Sequence, residues 1–257
     1  IGEGRFDVAA QTPLEHRAGP LFRTLGAPPG PLARRSGYRG FAPTDVCAVI
    51  VAAGQGLRMK TAVPKQFLPL AGRPVLAHSI DAFSACPDID RIVLVVAPEE
   101  AAFCRAKVLP AAGCRKPLSL VWGGAQRADS VFNGIKAAGS GSGIVVIHDG
   151  VRPLVRPDQI SAVVSGARET GACILAAPVF DTLKNVSDDG LVRQTVDRTG
   201  LWAAQTPQAF RFNLIFDAHI DAKRSGASVT DDALLLERRS VPVQVVRGDA
   251  FNLKITT

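Results

Sequence analysis

Two basic side chains, Arg58 and Lys65, stand just beyond a turn of small residues, Ala52-Ala53-Gly54-Gln55-Gly56. The turn closes a short apolar run, Ala48 to Val51, which reads as a buried strand. Where a strand ends in residues with little side chain, a ligand can approach backbone N–H groups, and these suit phosphate oxygens. Ala52, Ala53 and Gly54 are therefore candidate ligand-contacting residues. Cations just past such a turn would neutralise the charge that builds when phosphorus is attacked. Pro64 restricts the backbone ahead of Lys65 and fixes the lysine's approach. The pattern is not a dinucleotide fingerprint, because Met59 takes the third glycine position. Nor is it a Walker loop, since no Gly-Lys-Ser/Thr follows. It points to nucleotide handling.

Two further segments have the same character. Gly123-Gly124-Ala125-Gln126-Arg127-Ala128-Asp129-Ser130 follows one strand-like run and opens a helix. Gly124 and Ala125 permit close backbone approach to a base edge or ribose, and Ser130 can reach a ligand hydroxyl. The structural alternative is that the glycines only make the turn and Asp129 only caps the helix. His148-Asp149-Gly150-Val151-Arg152-Pro153 follows the apolar run Ile144–Ile147. An aspartate at a strand's carboxyl end suits Mg²⁺ or another divalent cation among phosphates, because that ion prefers hard oxygen ligands. Arg152 suits a second phosphate. His148 reads as structural, since a phosphate nucleophile is already ionised near neutral pH and needs no base. Arg198 and Lys254 lie far along the sequence and would converge on one anion only through folding.

The elements that must position these residues are legible from Asp45 onward. Strand-like runs occur at Cys47–Ala52, Arg91–Ala97, Leu118–Trp122, Ile144–Ile147, Cys173–Val179 and Val241–Val246. Helical spacing occurs at Pro74–Phe83, Glu99–Leu109, Arg127–Ala138, Pro157–Thr170, Asn213–Ser225 and Asp231–Arg238. Their alternation predicts an α/β fold with a doubly wound, mainly parallel sheet. Residues 180–202 break the alternation with two extended runs around Ser187-Asp-Asp-Gly190. They predict a projecting β-hairpin, a natural dimerisation device.

Residues 1–45 differ, with Gly-Ala-Pro-Pro-Gly-Pro at 26–31, six arginines and no lysine. They read as a flexible basic extension ahead of a domain spanning 46–257. An organelle transit peptide fits less well, since Ser36 is the segment's only serine and Glu3, Asp7 and Glu15 are acidic. No apolar run approaches the roughly 20 residues that span a bilayer, and no secretory segment is legible. The net charge of +7 raises nucleic acid as a partner, but the basic residues are dispersed and aromatics are only 6%. Small phosphorylated substrates explain the excess without a groove-tracking stripe. Five scattered cysteines without a C-x-x-C pair read as small buried residues in a reducing cytoplasm.

From about Asp45 the ordered motifs resemble 2-C-methyl-D-erythritol 4-phosphate cytidylyltransferases. The resemblance is carried by Ala52-Ala-Gly-x-Gly-x-Arg-Met59, Pro64-Lys-Gln66, Gly123-Gly, Arg127-Ala-Asp-Ser-Val131 and His148-Asp-x-x-Arg-Pro153. It continues through Ala177-Pro-Val-x-Asp-Thr182, Val196-Asp-Arg198, Gly200-Leu-Trp202, Thr206-Pro-Gln208, Thr230-Asp-Asp232 and Asn252-Leu-Lys-Ile-Thr256. The resemblance implies a Rossmann-like nucleotidyltransferase that joins CTP to methylerythritol phosphate and releases pyrophosphate. It places transition-state stabilisation on Arg58 and Lys65, and the attacking phosphate on Arg198 and Lys254. Asp149, Arg152 and Thr182 would stand near the acceptor. Ala52, Ala53, Gly124, Ala125 and Ser130 match CTP-contacting positions. It also implies a homodimer whose arm brings Thr182 and Arg198 to the partner's site. A fusion with a following cyclodiphosphate synthase domain is compatible with it. The rival readings are a ribitol-phosphate or other sugar-phosphate nucleotidyltransferase, and a non-catalytic nucleotide sensor.

Overall fold

The computed structural model describes residues 22–24, 45–54, 63–226 and 229–256. Along the chain the strands are β1 (Phe22–Thr24), β2 (Val46–Val51), β3 (Pro69–Leu70), β4 (Arg73–Pro74), β5 (Arg91–Val96) and β6 (Leu118–Trp122). They continue as β7 (Ile144–Asp149), β8 (Ala172–Pro178), β9 (Leu183–Val186), β10 (Val192–Val196), β11 (Trp202–Arg211) and β12 (Gln244–Arg247). The helices are α1 (Val75–Ala85), α2 (Ala101–Phe103), α3 (Leu109–Ala111), α4 (Arg127–Ala138), α5 (Pro157–Thr170), α6 (Phe212–Ser225) and α7 (Ala233–Glu237). A π-helical stretch, Cys104–Val108, joins α2 to α3.

An eight-stranded sheet runs in the order β1-β6-β5-β2-β7-β11-β8-β12. Every described pairing in it is parallel except those of β11, which runs antiparallel to both β7 and β8. The sheet is thus mainly parallel, as expected. Its strands are apolar on both faces because helices cover both. Val46, Ala48 and Ile50 pack on one side with Leu76 and Ile80 of α1 and Ile160 and Val164 of α5. Cys47 and Val49 pack on the other with Val131 and Ile135 of α4, Ile215 of α6 and Leu236 of α7. Each such aliphatic side chain, fully buried, contributes roughly 2 kcal/mol relative to exposure. A Cβ on Gly134 of α4 would lie 2.3 Å from Val49 Cγ1, so glycine lets that helix sit close on β2.

Local signals set the helix ends. Pro157 opens α5, and Gly171, at φ +92°, closes it in a conformation that favours glycine. Gly226 closes α6 in the same way at φ +65°.

β9 and β10 form a separate antiparallel hairpin within the expected 180–202 arm. Its turn is held by Gly190 N–H donating to Ser187 O and Ser187 N–H donating to Leu191 O, both at 2.9 Å. The arm and its base leave Phe180, Val186, Leu191, Val192 and Trp202 exposed. Most of the N-terminal extension lies outside the described residues. Three residues of it, β1, pair with β6 at the sheet edge, a strand that no period in the sequence signalled.

All five cysteines are free thiols. Burial pushes the Cys47 and Cys104 thiols up to about 12, which leaves little nucleophilic thiolate near neutral pH. Among the described residues, no helix is long and apolar enough to cross a membrane.

Candidate active site

β2, β5, β6 and β7 end at the same edge of the sheet. The chain leaves β2 toward β5 and β6 and returns on the opposite side as β7, so a crevice opens at that reversal. There lies an open cleft of about 580 Å³, lined among others by Ala52, Ala53, Gly54, Lys65, Gly124, Ala125, Ser130, Asp149 and Lys254. Folding therefore gathers these expected residues from four distant segments.

The nucleotide side is shaped by two small-residue turns in close contact. A Cβ on Gly123 would lie 2.3 Å from Ala53 Cβ, and one on Gly124 would lie 2.3 Å from Asp129 Cβ. Ser130 Oγ accepts the Gly124 N–H at 3.0 Å and donates to Gln126 O at 3.1 Å. Asp129 accepts the Gln126 N–H at 3.3 Å, a capping contact at the start of α4. Here both roles of the sequence reading coexist: the segment shapes its own turn and lines the cleft.

Gln66 ties Lys65 to the first turn. Its buried Nε2 donates to Ala52 O at 2.9 Å and approaches Gly54 O at 3.3 Å. It also lies 3.1 Å from Glu100 Oε2, and burial pushes the Glu100 carboxyl up. The lysine and the glycine turn are thus braced by one amide.

Asp149 is the acidic centre. It accepts from Arg127 Nε at 3.1 Å and from Lys254 Nζ at 2.8 Å, with Arg152 Nε at 3.8 Å. Burial opposes its charge, but Arg127 and Lys254 outweigh that cost and hold the carboxyl well below the usual range. Arg127 also donates from Nη1 to Asp232 Oδ2 at 2.9 Å. Burial works against the guanidinium's charge, yet Asp232 and Asp149 secure it.

His148 supports this centre from behind. Its Nε2 lies 3.2 Å from Arg152 O, which can only accept, so the ring proton sits on Nε2. Nδ1 then accepts the Thr206 hydroxyl at 3.1 Å, and Thr206 Oγ1 accepts the Asp149 N–H at 3.1 Å. Burial lowers the His148 pKa to about 4, so the ring is neutral at ordinary pH. Its contacts are those of a structural residue.

The last segment is drawn in by polar anchors. Asn252 Nδ2 donates to Thr206 O at 2.8 Å, and Arg152 Nη1 donates to Asn252 O at 2.7 Å. Ile255 N–H donates to Val151 O at 2.9 Å. Lys254, between these anchors, reaches the cleft.

Not every expected residue is there. Arg152 packs behind Asp149 and is not among the residues lining the cleft. Thr182 and Arg198 sit exposed on the arm, where Arg198 Nη1 donates to Phe180 O. Within one chain, then, Lys65 and Lys254 share the cleft and Arg198 does not. Arg58 lies outside the described residues. Sequence reasoning left Arg127, Gln66 and Asp232 without roles, although each lay inside a quoted motif. Arg127 opens α4 beside Asp129, a local signal of a charged helix start; nothing local marks Asp232 as its partner.

A mainly parallel α/β sheet, with a glycine-shaped crevice at its strand reversal and cations along the wall, defines a nucleotidyltransferase-type protein. The chain belongs to the 2-C-methyl-D-erythritol 4-phosphate cytidylyltransferase family, whose model matches residues 46–257. It is similar to the protein of that name from Desulforamulus reducens, with 47% identity over 83% of this chain and 91% of the relative. A "Bifunctional enzyme IspD/IspF" from Desulforudis audaxviator is 44% identical over 83% of this chain, which spans 54% of that protein. Among solved structures, the 4-diphosphocytidyl-2C-methyl-D-erythritol synthase of Anaerococcus prevotii aligns with a TM-score of 0.73 and 34% identity. That alignment covers 84% of this chain and 92% of the other.

Proposed function

We propose that this protein transfers a cytidylyl group from CTP to 2-C-methyl-D-erythritol 4-phosphate, releasing pyrophosphate, in isoprenoid precursor synthesis. The observation that carries this reading is the meeting of Lys65, Asp149 and Lys254 with the Gly123–Ser130 turn around one cleft.

The acceptor's phosphate oxygen attacks the α-phosphorus of CTP. A new phosphorus–oxygen bond forms as the bond to the β-phosphate bridge breaks, and pyrophosphate leaves with the electron pair. The nucleophile is already ionised, so no general base is needed. That agrees with a neutral, buried His148. Catalysis then rests on alignment and on cations facing the developing charge. Lys65, with Arg58, takes that role. Lys254 holds the acceptor phosphate, joined by Thr182 and Arg198, while Arg152 braces Asp149 and the Asn252 backbone from behind the cleft wall. Ala52, Ala53, Gly54, Gly124, Ala125 and Ser130 form the nucleotide side.

A divalent cation, expected as Mg²⁺, would shield the triphosphate's charge. Asp149, a carboxylate lining the cleft, would offer it a hard oxygen ligand. Among the described residues, no cluster of three His, Cys, Asp or Glu side chains fits a resident metal. Nucleotide oxygens and water would therefore fill most of the ion's shell.

The exposed apolar residues of the arm support a homodimer in which Thr182 and Arg198 serve the partner's cleft. We place the reaction in the cytoplasm, with no membrane or nucleic-acid partner.

The test is pyrophosphate release with CTP and each of methylerythritol phosphate, ribitol 5-phosphate and a sugar 1-phosphate. Turnover with the first is expected. Preference for another acceptor would reassign the substrate, and CTP binding without turnover on any would favour a sensor.

A further inference from the structure

We infer that Asp232 is a positioning residue of this site: it holds Arg127 against Asp149, although it lies behind the cleft wall. This rests on the cytidylyltransferase reading and extends it to the Thr230-Asp-Asp232 motif, which has no role above.

Asp232 is fully buried, and a buried carboxylate is costly unless paired. Its Oδ2 takes Arg127 Nη1 at 2.9 Å, while Arg127 Nε takes Asp149 Oδ1 at 3.1 Å. One guanidinium thus bridges two carboxylates, a geometry that only arginine's planar fork provides. His219 Nε2 lies 3.3 Å from the other Asp232 oxygen, and its ring stacks on Phe132. The whole series runs His219, Asp232, Arg127, Asp149, Lys254. It crosses from the helical layer of α4, α6 and α7 into the cleft.

Two hydrogen bonds to Gln208 fix Asp232 in place. Gln208 Nε2 donates to Asp231 Oδ2 at 3.0 Å, and Ala233 N–H donates to Gln208 Oε1 at 3.2 Å. The residues on both sides of Asp232 are therefore clamped to Gln208 of β11. Two residues earlier on that strand, Thr206 holds the backbone of Asp149. β11 thus sets the spacing between the two carboxylates that Arg127 must span.

The experiment measures kcat, both KM values and thermal midpoints for Asp232→Asn, Arg127→Gln and their double variant, beside wild type. Asp232→Asn is expected to lower kcat at least tenfold, with CTP KM changed less than about threefold. The double variant should match Arg127→Gln within twofold, because Asp232 acts through Arg127. Losses that multiply, or wild-type kcat in Asp232→Asn, would overturn the inference. Arg127→Lys covers the case in which Asp232→Asn does not fold. It keeps the charge but cannot bridge, so its kcat should resemble that of Arg127→Gln, and full activity would refute the bridge. An inactive wild type would count against the cytidylyltransferase reading instead.

Discussion

Lys254 Nζ rests 2.8 Å from Asp149 Oδ2, joining the last segment of the chain to the carboxyl end of β7. The ammonium has a counter-ion within the protein, yet the lysine side chain keeps 40% exposure toward the cleft. An anionic acceptor must therefore share or displace Asp149. Lys254→Ala should raise the acceptor KM by roughly 10- to 100-fold, the worth of a charge-assisted hydrogen bond. The CTP KM should stay within about threefold. Steady-state kinetics at saturating concentrations of the other substrate checks this, and a loss confined to CTP would place the lysine elsewhere.

Lys65 lines the cleft, and on the proposed reading it faces charge that develops only during attack. Lys65→Ala should lower kcat by about 100- to 1,000-fold, as with loss of other preorganised donors. CTP affinity, measured by calorimetry without acceptor, should change less than about threefold. Equal losses in affinity and rate would mean uniform binding instead.

The buried imidazole gives a pH signature for stability. In the fold His148 titrates at about 4, against an unfolded value near 6.5. Between those values the unfolded chain binds a proton that the native one does not, so stability falls as pH falls. The loss approaches about 3 kcal/mol near pH 4 and is absent above about pH 7. Asp149, held low by its cations after burial's opposing effect, adds its loss only at more acidic pH. Urea unfolding at pH 7.5, 6 and 5 should show the decline, and His148→Gln should flatten it. An unchanged slope in that variant would assign the proton uptake to another group.

Gly123 marks the closest approach of the two turns. Gly123→Ala should cost about 1–3 kcal/mol, because Ala53 Cβ at 2.3 Å and Ser130 Oγ at 3.0 Å both belong to fixed turns. It should also weaken CTP binding. Gly141→Ala is the control, since its Cβ would meet nothing within 4 Å. Comparable thermal midpoints for the two variants would remove the close-packing explanation.

Much of this fold was legible because its strands are apolar on both faces and its helices carry a 3.6-residue period. α4 and α5 begin and end where the sequence placed them, since capping and glycine signals are local. β11 was missed. Gln205, Pro207 and Gln208 interrupt any apolar run over Trp202–Arg211, to which the sequence assigns no element, and the ladder does shift register between Ala204 and Gln208. The tertiary setting makes it a strand: it fills the space between β7 and β8. The cleft residues were readable where a turn follows a strand, as with Ala53, Gly124 and Asp149. Arg127 escaped assignment because its meaning depends on Asp232, 105 residues away. Thr182 and Arg198 follow the opposite logic, since one chain leaves them outside its own cleft.

On the proposed reading, cations from separate segments and from two subunits meet at one reaction: Lys65 at the α-phosphorus of CTP, and Lys254 with the partner's Arg198 at the attacking phosphate. Heterodimers of Lys65→Ala and Arg198→Ala chains, co-expressed and purified through two different tags, test it most directly. Each homodimer should be nearly inactive, whereas the heterodimer carries one intact composite site and should regain about half of wild-type turnover. A heterodimer no more active than its parents, or a fully active Arg198→Ala homodimer, would contradict the account.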